Sequence, residues 1–157
     1  MTTYRLLLSA GVALALLALA LRVLQSRGAA PAVVADAVRT PGVLNPDVAQ
    51  ATIATTICRS GWTATIRPPT SYTDALKIRQ LREYRLHGPA SAYQEDHLIS
   101  LELGGDPTDP RNLWPEPYPR AAQVDRIENE LNDEVCSGSL SLADAQRKEA
   151  MLKHTDG

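Results

Sequence analysis

Cysteine, histidine and net positive charge are all scarce in this chain, and each shortage narrows what it can be. The 157 residues include two cysteines, Cys58 and Cys136, which are too far apart to form a CxxC pair, and neither stands in a setting that marks a nucleophile. Histidine occurs three times, as His87, His97 and His154, and no internal repeat is visible. The formal charge is −2. Residues 1–32 hold Arg5, Arg22 and Arg27 and no acid, so the rest carries 13 basic and 18 acidic side chains, a net charge of −5. A net acidic domain does not coat nucleic acid through its overall field, so any such binding must come from a local basic surface and a metal.

What is present begins with an apolar run. One positive charge within Met1 to Arg5 precedes Leu6 to Leu21, which is rich in Leu, Ala and Val and free of charge. A charged n-region followed by an apolar h-region is the pattern of an export signal, with cleavage after Ala32 or Ala35. Extended over residues 6–24 the run reaches about 28 Å as a helix, long enough for a single membrane anchor, although Arg22 interrupts it. Export to the periplasm or the extracellular space follows from either reading, and contact with a membrane follows only if the segment is retained. An oxidising compartment favours a disulfide between Cys58 and Cys136. Two independent buried thiols are the alternative.

The remaining length suits one domain of ordinary size. Residues 1–32 read as signal or anchor, 33–44 as a linker, 45–153 as the domain and 154–157 as a tail. Trp62–Ile66 favours a short strand, stopped by Pro68 and Pro69. Ser71 and Asp74 fit a capping box that opens a helix through about Tyr84, with Ala75, Ile78 and Leu81 as its apolar stripe. Arg79, Arg82 and Arg85 recur on another face, either as a solvated surface or as a ridge that contacts phosphate. A second helix runs from near Arg120 to Cys136, burying Ala121, Val124, Ile127, Leu131 and Val135 and stopping at Gly138. Ser141 and Asp144 cap a third, continuing through Met151 with mostly exposed charges.

Between the first two helices lies Glu95-Asp96-His97-Leu98-Ile99-Ser100-Leu101-Glu102-Leu103-Gly104-Gly105, and Asn112-Leu113-Trp114 follows. The alternation from Leu98 to Leu103 predicts a half-buried strand, and the glycine pair a tight reversal. A loop through Pro107 and Pro110 then leads to Asn112–Trp114, which returns toward the next helix. Adjacent residues of a strand point to opposite faces, so Asp96 and His97 reach one site only if they sit at the strand's mouth. Glu102 is expected on the solvent side, Glu95 as a flanking residue and His87 as a loop residue. Trp114 is either a core plug or a base-stacking platform.

Asp96-His97-Leu98-Ile99, Leu101, Gly104-Gly105 and Asn112-Leu113 resemble an HNH endonuclease of the ββα-metal (His-Me finger) superfamily, and in particular exported bacterial proteins with an HNH-like signature. The likeness covers roughly Tyr93 to Pro117, with weaker support from the helix beyond. It implies an α+β fold, in which a small β-hairpin plus helix is flanked by additional helices. It also implies that Asp96 ligates a divalent cation, His97 is the general base that activates water, and Asn112 positions the histidine. The cation implied is Mg²⁺ or Mn²⁺, for which carboxylates are suitable hard ligands. Many members supply a further histidine about nine residues beyond the asparagine, but Ala121 stands there, and the cysteine pairs of zinc-stabilised relatives are missing. Asp125 or Glu128, one helical turn apart, are the substitutes, with Glu116 behind them.

These residues lead to a metal-dependent endonuclease that hydrolyses phosphodiester bonds in nucleic acid, with Arg67, Arg79 and Arg82 as candidates to hold the strand. Arg67 is otherwise an ion-pair partner, Asp96 a simple salt-bridge acid and His97 a packed or capping side chain. The competing function is a catalytically silent HNH-like module that binds a partner or the cell envelope.

Overall fold

A computed structural model of the chain describes residues 32–157, and Val33–Gly157 forms one compact unit. Among the described residues there are four helices and one two-stranded antiparallel sheet, an α+β arrangement. In chain order the elements are α1 (Trp62–Ile66), α2 (Thr70–Glu83), β1 (Tyr93–His97), β2 (Leu113–Pro117), α3 (Tyr118–Ser137) and α4 (Leu142–Thr155).

The segment Trp62–Ile66 is a helical turn where a strand was expected. Gly61, with φ +79°, redirects the chain, and the Thr65 hydroxyl donates back to the Trp62 carbonyl at 2.6 Å. The Arg67 amide closes the turn on Thr63 O. The β preference of Trp, Thr and Ile needs a neighbouring strand to act on, and the described sheet contains only β1 and β2.

Helix α2 has the expected length but not the expected cap or face. Its N-cap is Pro69 without a side-chain hydrogen bond, and Asp74 pairs with Lys77 at 3.1 Å. Leu76, Gln80 and Leu81 are buried, whereas Ala75 and Ile78 are exposed, so the helix is turned about one position from the expected stripe. Gln80 is tolerated inside because its Nε2 donates to Pro110 O at 3.0 Å, tying α2 to the loop before β2.

The strand lies just before the apolar run, not within it. β1 pairs with β2 in the register Tyr93↔Pro117 to His97↔Leu113, and residues 98–112 form the connection. Leu98, Ile99, Leu101 and Leu103 are all buried, so their spacing reflects a loop driven into the core and not a pleat with one wet face. The Ile99 and Ser100 amides bond to the Asn112 and Glu149 side chains, which takes the chain out of the sheet. Asp96 and His97 therefore sit at the mouth of a strand, as expected, but at its C-terminal end.

Helix α3 matches its expected span and ends on Gly138 at φ +79°. Its buried stripe is Ala121, Val124, Glu128, Leu131 and Val135, and Ile127 is only half-buried. Helix α4 opens as expected, with the Ser141 hydroxyl accepting from the Asp144 amide at 3.2 Å, and runs a turn beyond Met151. Asp144, Arg147 and Lys148 keep their charges toward solvent as expected, whereas Glu149 and Lys153 are fully buried.

Residues 33–44, expected as a linker, are packed into the unit. The Ala35 amide donates to Lys153 O, Gly42 to Arg111 O, and the Thr40 and Tyr84 hydroxyls hydrogen bond at 2.7 Å. The tail is engaged as well, with His154 Nε2 2.9 Å from Thr40 O. Trp114 plugs the core beside Ala35, Leu98 and Tyr84, its ring 6.5 Å from that of the tyrosine. A disulfide joins Cys58 to Cys136, linking the chain before α1 to the end of α3, against a core built from Val48, Ile57, Leu103, Leu131 and Val135. No helix among the described residues is long and apolar enough to cross a membrane, and the export or anchor segment at 6–24 lies outside those residues.

Candidate functional site

A cleft of about 440 Å³ opens where β1 ends. Glu95, Asp96 and His97 reach it from β1, Glu102 from the connecting loop, Asp125 and Glu128 from α3, and Arg67 from the residue after α1.

His97 is buried, with 6% of its surface exposed, and its Nε2 lies 3.1 Å from Pro107 O. A carbonyl oxygen only accepts, so this contact assigns the hydrogen to Nε2 and leaves Nδ1 with a free lone pair. Burial lowers the histidine's pKa, with the charges of Lys153 and Arg67 acting in the same direction. Asp96 and the Pro107 carbonyl oppose them without reversing the shift. These surroundings favour the neutral imidazole, the form a general base requires, with Nε2 engaged by the Pro107 carbonyl.

Asn112 makes that geometry. It is fully buried, its Oδ1 accepts from the Ile99 amide, and its Nδ2 donates to Ile99 O and Asp106 O, each at 3.0 Å. The bond to Asp106 O holds the residue before Pro107, whose carbonyl takes the histidine hydrogen. The side chain of Asn112 makes no hydrogen bond to His97, and its link to the histidine runs through this loop. Gly105 is required for the same closure, because a Cβ there would lie 1.8 Å from Ile99 O and 2.5 Å from Asn112 Nδ2.

Asp96 and Glu128 do converge, and the group they converge on is Lys153. Its Nζ lies 2.9 Å from Asp96 Oδ2, 2.5 Å from Glu128 Oε1, 3.2 Å from Glu149 Oε1 and 2.5 Å from the His97 carbonyl. Burial alone would depress the ammonium's pKa. The Asp96, Glu128 and Glu149 charges outweigh it and hold Lys153 well above its ordinary value. Burial likewise pushes Asp96 up, but the Lys153 charge and hydrogen bond bring it below the usual carboxylate range.

The other acids lack such a partner. Both Glu116 oxygens are buried without a hydrogen bond, and burial first, then the Asp96 charge, raises this carboxyl to about 8. Both Glu95 oxygens are in the same position, and burial takes Glu95 to about 8. Glu102 is half-buried and lines the cleft instead of facing solvent, and burial raises it too. Asp125, more exposed, is raised by partial burial and by Asp96.

The divalent cation implied by the family resemblance does not fit between Asp96 and Glu128 as these residues stand, because the point they share is filled by the Lys153 ammonium. Among the described residues no three His, Cys, Asp or Glu side chains are arranged to hold a metal ion.

The structure thus brings Asp96, His97, Asp125, Glu128 and Arg67 to one cleft, with Asn112 behind it. Arg79 and Arg82 are not among its lining residues; Arg79 pairs with Glu83 at 3.5 Å, and both arginines are exposed on α2. The residues that sequence reasoning missed are Pro107, Glu149 and Lys153. A signal for the last two was present, since Leu142, Ala145, Glu149 and Lys153 recur at helical spacing and define one buried stripe of α4. No family model matches the chain, and neither known proteins of established annotation nor solved structures give a significant match.

Proposed function

We propose that this cleft hydrolyses phosphodiester bonds in nucleic acid, as an endonuclease acting outside the cytoplasm. The observation that carries the reading is the His97 ring, whose Nε2 is engaged by Pro107 O while Nδ1 is left to accept a proton at the mouth of β1. The water oxygen attacks phosphorus as its proton passes to Nδ1. The bond from phosphorus to the leaving oxygen breaks, and that oxygen takes a proton from solvent in the open cleft. Arg67, exposed on the same wall, is the cation placed to meet a phosphate. The resemblance to HNH endonucleases supports the same assignment, and the Cys58–Cys136 disulfide is consistent with an oxidising compartment. Mg²⁺ and Mn²⁺ belong in the assay because Asp125 keeps carboxylate oxygen on the cleft wall.

A second reading is the catalytically silent module, favoured by Lys153, which ties up the two carboxylates a metal-dependent nuclease would need. Plasmid DNA and RNA incubated with the purified full-length chain in Mg²⁺, Mn²⁺ or chelator, beside His97→Ala, separate the two. Cleavage by the wild type that the variant lacks supports the enzyme. Equal, negligible cleavage by both under every condition leaves the silent module.

A further inference from the structure

We propose that Lys153 is the resident cation of this site, a positioning residue that stands where Asp96 and Glu128 would otherwise share a divalent metal ion. The inference concerns the same cleft and rests on the phosphodiesterase reading only for its activity measurement.

Four oxygens surround Nζ within 3.2 Å, from Asp96, Glu128, Glu149 and the His97 carbonyl. An ammonium has three donors, so its hydrogen-bonding capacity is used up and none is left for a substrate. The contacts come from β1, α3 and α4, so the ammonium joins the two elements that carry Asp96 and Glu128 to the helix that carries Lys153 itself. Lys153 therefore fixes the end of β1 through the carbonyl of His97 itself, and so sets where the imidazole stands.

A divalent ion has no easy route to this position. The Lys153 side chain is fully buried, and its backbone carbonyl accepts from the Ala35 amide, so the residue is held at both ends. Withdrawing the ammonium would leave the carboxyl groups of Asp96, Glu128 and Glu149 facing one another out of water with the Asp96 charge unpaired. Burial already pushes Glu128 and Glu149 toward their neutral forms, and removing one partner of a buried ion pair is strongly unfavourable. Mg²⁺ also demands oxygens at about 2.0–2.1 Å in near-octahedral order, a tighter shell than the one built around Nζ. The cleft is left with Arg67 as its exposed positive group.

Binding of Mn²⁺ to the full-length protein, followed by electron paramagnetic resonance and titration calorimetry, tests this without reference to catalysis. Wild type is expected to show no saturable site up to about 1 mM, the weak end of protein divalent-cation sites. Lys153→Met, if folded by circular dichroism, is expected to gain one site. One Mn²⁺ per wild-type chain that Asp96→Asn removes would overturn the proposal, as would a folded Lys153→Met that binds none. Where the wild type cleaves nucleic acid, chelator is expected to leave the rate unchanged, and loss of cleavage in chelator counts against the proposal. Should no cleavage occur at all, the phosphodiesterase reading fails while the Mn²⁺ measurement still decides the role of Lys153.

Discussion

In the proposed reaction His97 accepts a proton from water only while neutral, and its surroundings favour that form. Burial, aided by Lys153 and Arg67, lowers its pKa from the ordinary 6.5, so the acid limb of kcat/KM is expected to have its midpoint below 6.5. A midpoint at or above that value would show a different group titrating. Removing the base by His97→Ala is expected to lower the rate by about 10²–10⁴-fold. Glu116 gives a separate pH effect, on stability. Folded, it keeps its proton up to about 8, whereas its ordinary value is 4.5. Between those values the native state binds the extra proton, so the contribution of Glu116 to stability is full below 4.5 and is lost as pH rises toward 8. Glu116→Gln is expected to flatten that fall in urea midpoints measured across the window, though not to abolish it, because Glu95 contributes with the same sign. An unchanged slope in the variant would mean that Glu116 is ionised in the folded protein.

Asn112 ties the two ends of the connection between β1 and β2 to each other. Asn112→Ala removes two buried hydrogen bonds and one part-buried one and strands their partners, and is expected to cost about 2–4 kcal/mol by urea denaturation. Gly105→Ala is expected to be comparably damaging, since its Cβ has no space against Ile99 O. If Asn112→Ala unfolds at the wild-type midpoint, the loop is not tied in the way described. The glycine pair was legible in the sequence because a reversal is local, the role of Asn112 followed only from the family resemblance, and α3 was legible from its period and its terminal glycine. The strand was misread because Leu98 to Leu103 alternates for burial in a loop, a tertiary cause that leaves the same pattern as a pleat. Trp62–Ile66 was misread for a similar reason, its β-prone residues having no partner strand to pair with.

For the molecule as a whole, the site depends on parts of the chain far from the motif. Lys153 closes the domain expected from the sequence, and its helical spacing with Glu149, Ala145 and Leu142 marks a buried stripe. What the sequence could not convey is that this stripe meets Asp96 and Glu128, because that meeting is a product of packing. The disulfide is the longest-range covalent tie, closing 78 residues of sequence separation. Its loss in Cys58→Ser with Cys136→Ser is expected to cost about 2–5 kcal/mol, seen as a lower urea midpoint. An unchanged midpoint would show that packing alone holds α3 against the chain before α1. The reading of the cleft as a hydrolase turns on whether His97 delivers water to phosphorus. A DNA or RNA oligonucleotide incubated with the full-length protein in ¹⁸O-labelled water, with the product phosphate analysed by mass spectrometry, measures this. One ¹⁸O in the phosphate of a product that wild type forms and His97→Ala does not is the expected result, whereas no product, or the same labelled product from both proteins, would contradict it.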